Sequence, residues 1–222
     1  MEKFKIIEIK QSIYESNEVE AEKLRDEMKK RKTFLLNLMS SPGSGKTTTL
    51  VQTIKRLKDE MSIGIMEADI DSDVDAATIS ETGAKVIQLH TGGMCHLDAK
   101  MTRDGIENLG IEGIDLAILE NVGNLVCPAE FDTGATKNAM ILSVPEGDDK
   151  PLKYPLMFKV ADVLLINKID TLSIFDFDVE AVYKRAKNLN PNIQIFQISA
   201  KTGEGIDEWA KWLKSEVEKA KN

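Results

Sequence analysis

The stretch SPGSGKT at residues 41–47 decides the fold of this chain. It follows an apolar run at 34–39 that predicts a buried strand, and it leads into a helical pattern at 47–57. Glycines let the backbone approach phosphate groups without an intervening Cβ, and the start of a helix turns unpaired N–H groups towards an anion. A strand, a glycine-rich turn and a helix in this order therefore predict a phosphate-binding P-loop.

Two residues of this loop have specific predicted roles. We expect Lys46 to place a positive charge between the outer phosphates of a nucleotide, and Thr47 to offer its hydroxyl to Mg²⁺. One position departs from the common motif, because Ser40 stands where the first glycine is usual. Serine resists a positive φ, so we expect the geometry of the first turn to differ from that of the common P-loop. The predicted nucleotide-binding residues of the loop are Gly43, Ser44, Gly45, Lys46, Thr47 and Thr48.

Short apolar runs alternate with helical patterns along the rest of the chain. Several runs are apolar at consecutive positions, which is typical of strands covered on both faces. The sequence therefore predicts a doubly wound α/β domain of the P-loop NTPase type at 33–222, with a mostly parallel sheet of about seven strands and helices on both faces. The predicted strands are 34–39, 63–66, 86–89, 116–119, 140–144, 163–166 and 193–198, and the predicted helices are 47–57, 97–109, 179–189 and 206–217.

Residues 1–32 form a predicted N-terminal arm that contains a helix. Asn17 and Glu20 resemble the capping pair of a helix start, and Val19, Leu24 and Met28 predict a thin apolar stripe. We expect this helix to pack against the main domain.

Residues 167–170 read Asn-Lys-Ile-Asp and follow an apolar run. Ligands of open α/β sheets bind at the carboxyl ends of the strands, so this tetrad is expected beside the base. The Asp170 carboxylate offers two acceptors for the ring N–H and the amine of guanine, whereas adenine presents an acceptor at the ring position. The later sequence at 199–201 resembles a loop that contacts the guanine carbonyl in many GTPases. GTP or GDP is therefore the predicted nucleotide, bound by Asn167, Lys168, Asp170, Ser199, Ala200 and Lys201.

Acidic residues follow two of the predicted strands. Most of the cluster formed by Glu67, Asp69, Asp71, Asp73 and Asp75 is typical of a solvated loop. Because Mg²⁺ takes few carboxylates together with phosphate oxygens, we assign only Asp75 of this cluster to Mg²⁺ or to a water. Glu120 ends another apolar run and precedes a flexible loop at 121–124, which is suited to sensing the terminal phosphate. Lys46, Asp75 and Glu120 are the predicted catalytic residues, and Thr47, Asp75 and Glu120 are the predicted Mg²⁺ ligands.

Both cysteines and one of the two histidines also stand after predicted strands. A free cysteine is often a small buried hydrophobic residue, so a core role for Cys95 and Cys127 stays open. With the imidazole of His96, their thiolates suit Zn²⁺ or Ni²⁺. One chain supplies these three ligands, whereas a closed tetrahedral site needs four. A two-fold dimer could pool the ligands of both chains, and nucleotide could then control metal binding.

Composition limits the environment and the partners of the chain. It has 222 residues, a net charge of −8 and a pI of about 5.0, which disfavours a nucleic-acid partner because phosphate backbones attract basic surfaces. The small number of cysteines indicates a reducing compartment, and the charged first residues do not resemble a signal peptide. No stretch approaches the roughly eighteen consecutive apolar residues of a membrane span. We therefore expect a cytoplasmic protein without a membrane partner.

Five stretches together resemble the HypB family, the nickel-incorporation GTPases of NiFe-hydrogenase maturation, which belong to the SIMIBI class. They are 41–47, 67–75, 92–96, 120–128 and 167–170, of which 120–128 is the most specific. The resemblance implies a homodimer that hydrolyses GTP slowly and works with a HypA-type nickel chaperone to insert nickel into the hydrogenase large subunit.

The resemblance also implies roles for particular residues. Cys95, His96 and Cys127 would be metal ligands at the dimer interface, and Lys153 would lie near nucleotide and interface. The first 32 residues hold neither the N-terminal cysteine motif that many members have nor the long histidine-rich tract that some have. We therefore expect no nickel storage, and we expect the Cys/His group to be the metal site.

Two other functions remain open. UreG, the urease-maturation GTPase, shares the fold, but its Cys-Pro-His metal motif is not matched here because Ala129 follows Pro128. A regulatory GTPase without a transition metal would bury both cysteines in its core, and thiol accessibility separates this possibility from a metal site. No obvious arginine finger is present in the sequence, so we expect slow intrinsic hydrolysis.

Overall fold

Seven strands form one sheet in the computed structural model of the chain, which describes residues 9–69 and 74–221, with side chains from residue 14 and without that of Asp69. All six strand pairs are parallel, and the spatial order is β3-β2-β4-β1-β5-β6-β7. The predicted α/β class and the seven predicted strands are confirmed. The strands are β1 (Phe34–Ser40), β2 (Ile63–Asp69), β3 (Lys85–His90), β4 (Leu116–Glu120), β5 (Lys137–Ser143), β6 (Val163–Asn167) and β7 (Gln194–Gln197).

The helices cover the faces of this sheet. The four helices predicted after residue 33 are present with slightly shifted ends; α4, for example, begins after Asp98, whose carboxylate accepts a hydrogen bond from the Met101 N–H at 2.8 Å. Four further helices of only four to seven residues are too short to show a helical period in the sequence. The helices are α1 (Ile9–Arg31), α2 (Lys46–Leu57), α3 (Val74–Ser80), α4 (Ala99–Leu109), α5 (Cys127–Glu130), α6 (Lys150–Lys153), α7 (Pro155–Val160), α8 (Val179–Leu189) and α9 (Ile206–Lys221).

The core lies on both faces of the sheet. Every residue of β1, β4 and β6 is buried, which explains why these strands are apolar at consecutive positions. On one face, Trp209 of α9 is buried and donates from Nε1 to the Thr53 hydroxyl of α2 at 3.0 Å. Within the described parts of the chain, no helix has both the length and the apolar character that crossing a bilayer requires.

Helix α1 packs on the opposite face. Leu24 and Met28 are fully buried in a cluster with residues of α4 and β1, whereas Val19 is 51% exposed, so the predicted stripe is correct at two of its three positions. The predicted capping role of Asn17 is wrong, because α1 already runs from Ile9 and its interior includes this residue. The Asn17 amide instead makes tertiary contacts: Oδ1 accepts from the Ala99 N–H at 3.0 Å, and Nδ2 donates to the Asp132 carbonyl at 2.9 Å.

The carboxyl ends of all strands meet at one edge of the sheet because every strand runs in the same direction. This carboxyl edge is where open α/β sheets bind their ligands. Its strand-terminal residues are Ser40, Asp69, His90, Glu120, Ser143, Asn167 and Gln197.

Candidate functional site

The phosphate loop connects β1 to α2 at the carboxyl edge. Its left-handed residues are Gly43, with φ of 73°, and Gly45, with φ of 97°. Ser40 needs no positive φ, because it is the last residue of β1. Its Oγ accepts a hydrogen bond from Lys46 Nζ at 3.1 Å. The serine that departs from the common motif therefore belongs to the strand and contacts the loop lysine.

A cavity of about 190 Å³ brings the phosphate loop and the predicted base-binding residues together. Among the predicted nucleotide-binding residues, Gly43, Ser44, Lys46, Thr47 and Ser199 do not line it. The cavity is lined by Gly45, Thr48, Asn167, Lys168, Asp170, Thr171, Ala200 and Lys201.

Asn167 joins the segments around this cavity. Its Nδ2 donates to the Ser44 carbonyl at 2.9 Å, and its Oδ1 accepts from the N–H groups of Lys168 at 2.8 Å and Ala200 at 3.0 Å. A Cβ on Gly45 would lie 2.6 Å from the same Nδ2, so only glycine allows this approach. The Asn167 amide therefore fixes the cavity walls through protein contacts.

Lys168 and Asp170 occupy the exposed side of the cavity. Lys168 has a left-handed φ of 62°, and its Nζ donates to the Gly43 carbonyl at 2.7 Å. Ser199 Oγ donates to Asp170 Oδ1 at 2.6 Å, which orients the carboxylate that is predicted to read the base. The tetrad and the loop at 199–201 are thus parts of one hydrogen-bonded wall.

Three carboxylates lie beside the phosphate loop. Glu67, Asp75 and Glu120 offer oxygens that are all within 4.8 Å of one another, and Glu67 of β2 stands in register with Glu120 of β4. Thr47 Oγ1 donates to Glu120 Oε1 at 3.5 Å. Oε2 of Glu120 is buried and has no hydrogen-bond partner in the described part of the chain. A buried, partly unsatisfied carboxylate group next to a threonine hydroxyl is chemically suited to Mg²⁺.

The electrostatics of this group depend on burial. Burial raises the pKa of Glu120 to about 8, the Lys46 ammonium opposes the shift, and the charges of Glu67 and Asp75 add to it. Glu67 is a site residue to which the sequence analysis gave no role; its place directly after an apolar run, as for Glu120, is the feature that indicates it. Asp71 and Asp73 lie outside the described residues.

Cys95, His96 and Cys127 form a second group. Their ligand atoms are all within 4.8 Å of one another. Cys95 Sγ and Cys127 Sγ are 2.8 Å apart, and Cys95 Sγ lies 3.9 Å from His96 Nδ1. All three residues are half-buried, and neither cysteine belongs to the hydrophobic core clusters of the described chain. The arrangement brings together three side chains of the kind that could hold a metal ion.

Burial and neighbours set the protonation of the Cys/His group. Burial lowers the pKa of His96, and the nearby Asp98 and Glu130 carboxylates oppose this shift. The hydrogen bond with Cys95 raises the pKa of the Cys127 thiol, and burial adds to it. A neutral imidazole is the form that binds metal, whereas a thiol must release its proton first.

One short segment connects the carboxylates to the cysteines. It runs from Glu120 at the end of β4 to Cys127 at the start of α5. Asn121 Oδ1 accepts from the N–H of Leu97, which follows His96, at 3.2 Å, and Asn124 Nδ2 donates to the Cys95 carbonyl at 3.4 Å. We call residues 121–126 the connecting loop.

The connecting loop also contacts the phosphate loop directly. A Cβ on Gly123 would lie 3.1 Å from the backbone nitrogen of Pro42, so the two loops touch. Lys153, by contrast, lies in α6, where its ammonium pairs with Asp149 at 2.5 Å, and it does not line the nucleotide cavity.

The fold and the cavity define a P-loop nucleotide-binding protein, and the sequence model of the family "CobW/HypB/UreG, nucleotide-binding domain" matches residues 34–197. Hydrogenase maturation factor HypB of Escherichia coli strain K12 is 45% identical over 216 residues, which cover 97% of this chain and 74% of that protein. The chain belongs to the HypB family.

Solved structures agree with this assignment. The crystal structure of HypB from Helicobacter pylori in complex with nickel matches with a TM-score of 0.85 and 38% identity, over 92% of this chain and 96% of that chain. Signal recognition particle 54 kDa protein from Aeropyrum pernix K1, in complex with GDP, matches with a TM-score of 0.57 and 15% identity, over 85% of this chain and 48% of that chain. The latter similarity shows a shared fold alone.

Proposed function

We propose that this protein is a GTP-dependent metallochaperone that binds nickel and helps to insert it into NiFe hydrogenase. The observation that carries the proposal is the connecting loop, because it begins at the carboxylate beside the phosphate loop and ends at a cysteine of the Cys/His group. Membership of the HypB family supports it, as does the nickel complex of the Helicobacter pylori relative.

On the nucleotide side, the residues have distinct tasks. Lys46 and the N–H groups at the start of α2 bind the phosphates of GTP, and Thr47, Asp75, Glu67 and Glu120 would hold Mg²⁺ or its waters. The Mg²⁺ ion supplies charge that neutralises the phosphates. Asp170, oriented by Ser199, binds guanine.

On the metal side, the two thiols must separate. Zinc–sulfur bonds of about 2.3 Å in a tetrahedral site require a distance between the two sulfurs of about 3.8 Å. The Sγ atoms of Cys95 and Cys127 are 2.8 Å apart, so the two sulfurs must move apart when the ion binds. The connecting loop touches the phosphate loop at Pro42. Through this contact, a change in the nucleotide would reach the loop that leads into Cys127.

Hydrolysis is slow in this proposal. No arginine lines the nucleotide cavity among the described residues, and an arginine that neutralises the transition state is what accelerates many P-loop GTPases. GTP would order the connecting loop and the start of α3, and hydrolysis would relax them and release the metal.

The partners follow from the incomplete ligand set. Three ligands from the described residues of one chain leave a tetrahedral site one short, which favours a homodimer that pools ligands under nucleotide control. A HypA-type nickel chaperone and the hydrogenase large subunit would be the donor and the acceptor of the ion, in the cytoplasm. Zn²⁺ is the competing ion, because the same ligands suit it.

Metal titrations with and without nucleotide test the proposal. We expect Ni²⁺ to bind the wild type with thiolate charge-transfer absorption and Zn²⁺, which is d¹⁰, to be detected by calorimetry or by competition with Ni²⁺. We expect Mg²⁺ with a non-hydrolysable GTP analogue to change the affinity for either ion. Cys95→Ala and Cys127→Ala should lose binding, whereas His90→Ala, at the exposed end of β3, is the matched control and should retain it. Unchanged binding in both cysteine variants would remove the metal role, and nucleotide-independent binding would remove the switch.

A further inference from the structure

The His96 imidazole is held by an aromatic side chain that the proposed function does not use. The Phe131 ring stacks on it, with the ring centroids 3.9 Å apart and the planes 15° from parallel. Phe131 directly follows α5, the helix that Cys127 begins. The ring that covers the imidazole is therefore carried by the same segment as one of the two thiols.

Tyr14 of α1 packs on Phe131 in turn. The two ring centroids are 5.0 Å apart at an angle of 39°, and the Tyr14 hydroxyl donates to Glu130 Oε2 at 2.8 Å. Helix α1 thus reaches the Cys/His group through two rings in succession. We call Tyr14 and Phe131 the aromatic clamp.

Other contacts of α1 fix the position of the aromatic clamp. Asn17 bridges both ligand-bearing segments, since it binds the Ala99 N–H at the start of α4 and the Asp132 carbonyl after α5. Arg25 donates to both carboxylate oxygens of Asp132, at 2.9 and 2.7 Å, and to the Ala135 carbonyl at 3.2 Å. Leu24 and Met28 anchor the same helix in the core.

We propose that the aromatic clamp is a positioning device for the metal site: it sets the orientation of the His96 imidazole towards Cys95 and Cys127 and thereby raises metal affinity. Groups that orient a ligating histidine commonly change affinity ten- to a hundred-fold when they are removed. A flat ring face against the imidazole restricts its rotation, whereas the smaller, branched side chain of leucine has no flat face to stack on it. This inference rests on the proposed metal role of His96.

The orientation can be measured without any metal. The chain has two histidines, so His90 provides an internal reference in the imidazole NMR spectrum. Ring currents of Phe131 should shift the His96 carbon-bound protons upfield. Phe131→Leu should remove this shift, and Phe131→Tyr should keep it. Tyr183→Leu, a half-exposed aromatic residue of α8, is the control and should leave it unchanged.

A double-mutant cycle tests the effect on affinity. In Ni²⁺ titrations of the full-length protein, we expect Phe131→Leu to lose about ten-fold in affinity and Phe131→Tyr to retain it. In the His96→Ala background, Phe131→Leu should cause no further loss, because the ring that it positions is gone.

The outcomes are distinguishable. An unmoved His96 resonance in Phe131→Leu would overturn the positioning role, and an equal loss of affinity in both backgrounds would overturn action through His96. A wild type that binds neither Ni²⁺ nor Zn²⁺ would overturn the proposed function and the affinity part of this inference, while the imidazole spectrum would still decide the positioning part.

Discussion

Asn167 holds three backbone segments together beside the cavity that the phosphate loop lines. The tetrad at 167–170 also predicts that this residue contacts the base. In the folded chain its amide oxygen and nitrogen bind Lys168, Ala200 and Ser44. Asn167 thus contributes to a nucleotide site indirectly, because its hydrogen bonds fix the positions of the backbone segments that the nucleotide would contact.

Gly45 gives a prediction with a matched control. Gly45→Ala and Gly113→Ala both place alanine at a left-handed φ, of 97° and 77°, and this backbone strain alone should cost each variant about 1–2 kcal/mol of stability. A Cβ at Gly113 meets nothing within 4 Å, whereas one at Gly45 lies 2.6 Å from Asn167 Nδ2. GTP affinity, measured by calorimetry, should therefore fall at least about ten-fold in Gly45→Ala only. Equal affinity in the two variants would contradict the contact.

Glu120 gives a prediction about pH. Its folded-state pKa of about 8 lies above the ordinary 4.5, so the folded protein holds a proton that the unfolded chain has released. Stability from this group therefore falls as pH rises from about 4.5 to about 8. Between about pH 6 and about pH 8 the wild type should lose about 2 kcal/mol relative to Glu120→Gln. Urea unfolding in EDTA, without nucleotide, measures the difference.

The same experiment has an internal check. Because other titrating groups are common to both proteins, only the difference between the wild type and Glu120→Gln reports on Glu120. A parallel pH dependence of the two unfolding free energies would show that Glu120 titrates normally. Added Mg²⁺ should bind the wild type more tightly at the higher pH, since the ion displaces the proton.

Among the elements, the long and fully buried ones were predictable from the sequence. The strands β1, β4 and β6 appear as continuous apolar runs, and α8 shows its helical period at the observed boundaries. The short α5 and α6, of four residues each, are fixed by tertiary contacts and leave no periodic pattern. The sequence likewise gives no sign that Glu67 lies beside Glu120, because the two residues become neighbours only when β2 pairs with β4.

Helix α1 gives a prediction at this scale. Leu24 is fully buried against the sheet, and truncation to alanine removes core packing, so Leu24→Ala should cost about 2–5 kcal/mol. Val19→Ala, on the exposed side of the same helix, should cost less than about 0.5 kcal/mol. Urea denaturation of both variants measures the costs. Similar small losses would mean that α1 contributes little to the stability of the domain.

At the scale of the whole molecule, the parallel sheet places the carboxylates, the hydrogen-bonded wall of residues 167–170 and 199–201, and the Cys/His group along one edge. The order of the strands sets their neighbours: β1 lies between β4 and β5, so the phosphate loop stands next to the connecting loop. Sequence motifs far apart in the chain thus become adjacent through topology. The P-loop motif indicated this topology, whereas the contact between the two loops required coordinates.

Ligand-induced stabilisation of the whole chain tests the nucleotide site. GTP with Mg²⁺ at about a hundred times its Kd should add about 2.7 kcal/mol to the free energy of unfolding. For a chain of this size, that corresponds to a rise in Tm of roughly 5–10 °C. ATP at the same concentration should give a smaller rise, and Asp170→Asn should reduce the preference for GTP. Equal stabilisation by ATP and GTP in the wild type would contradict guanine recognition.

The opposite edge of the sheet, where the strands begin, carries neither group of candidate site residues. Gly83 precedes β3 and Gly113 precedes β4, and both turns leave open space around the backbone. A fluorophore or an affinity tag attached at these turns would sit a full strand length away from both groups of candidate site residues. Because all strands run in the same direction, a label at their amino-terminal edge can report on folding and association without contacting the candidate site residues.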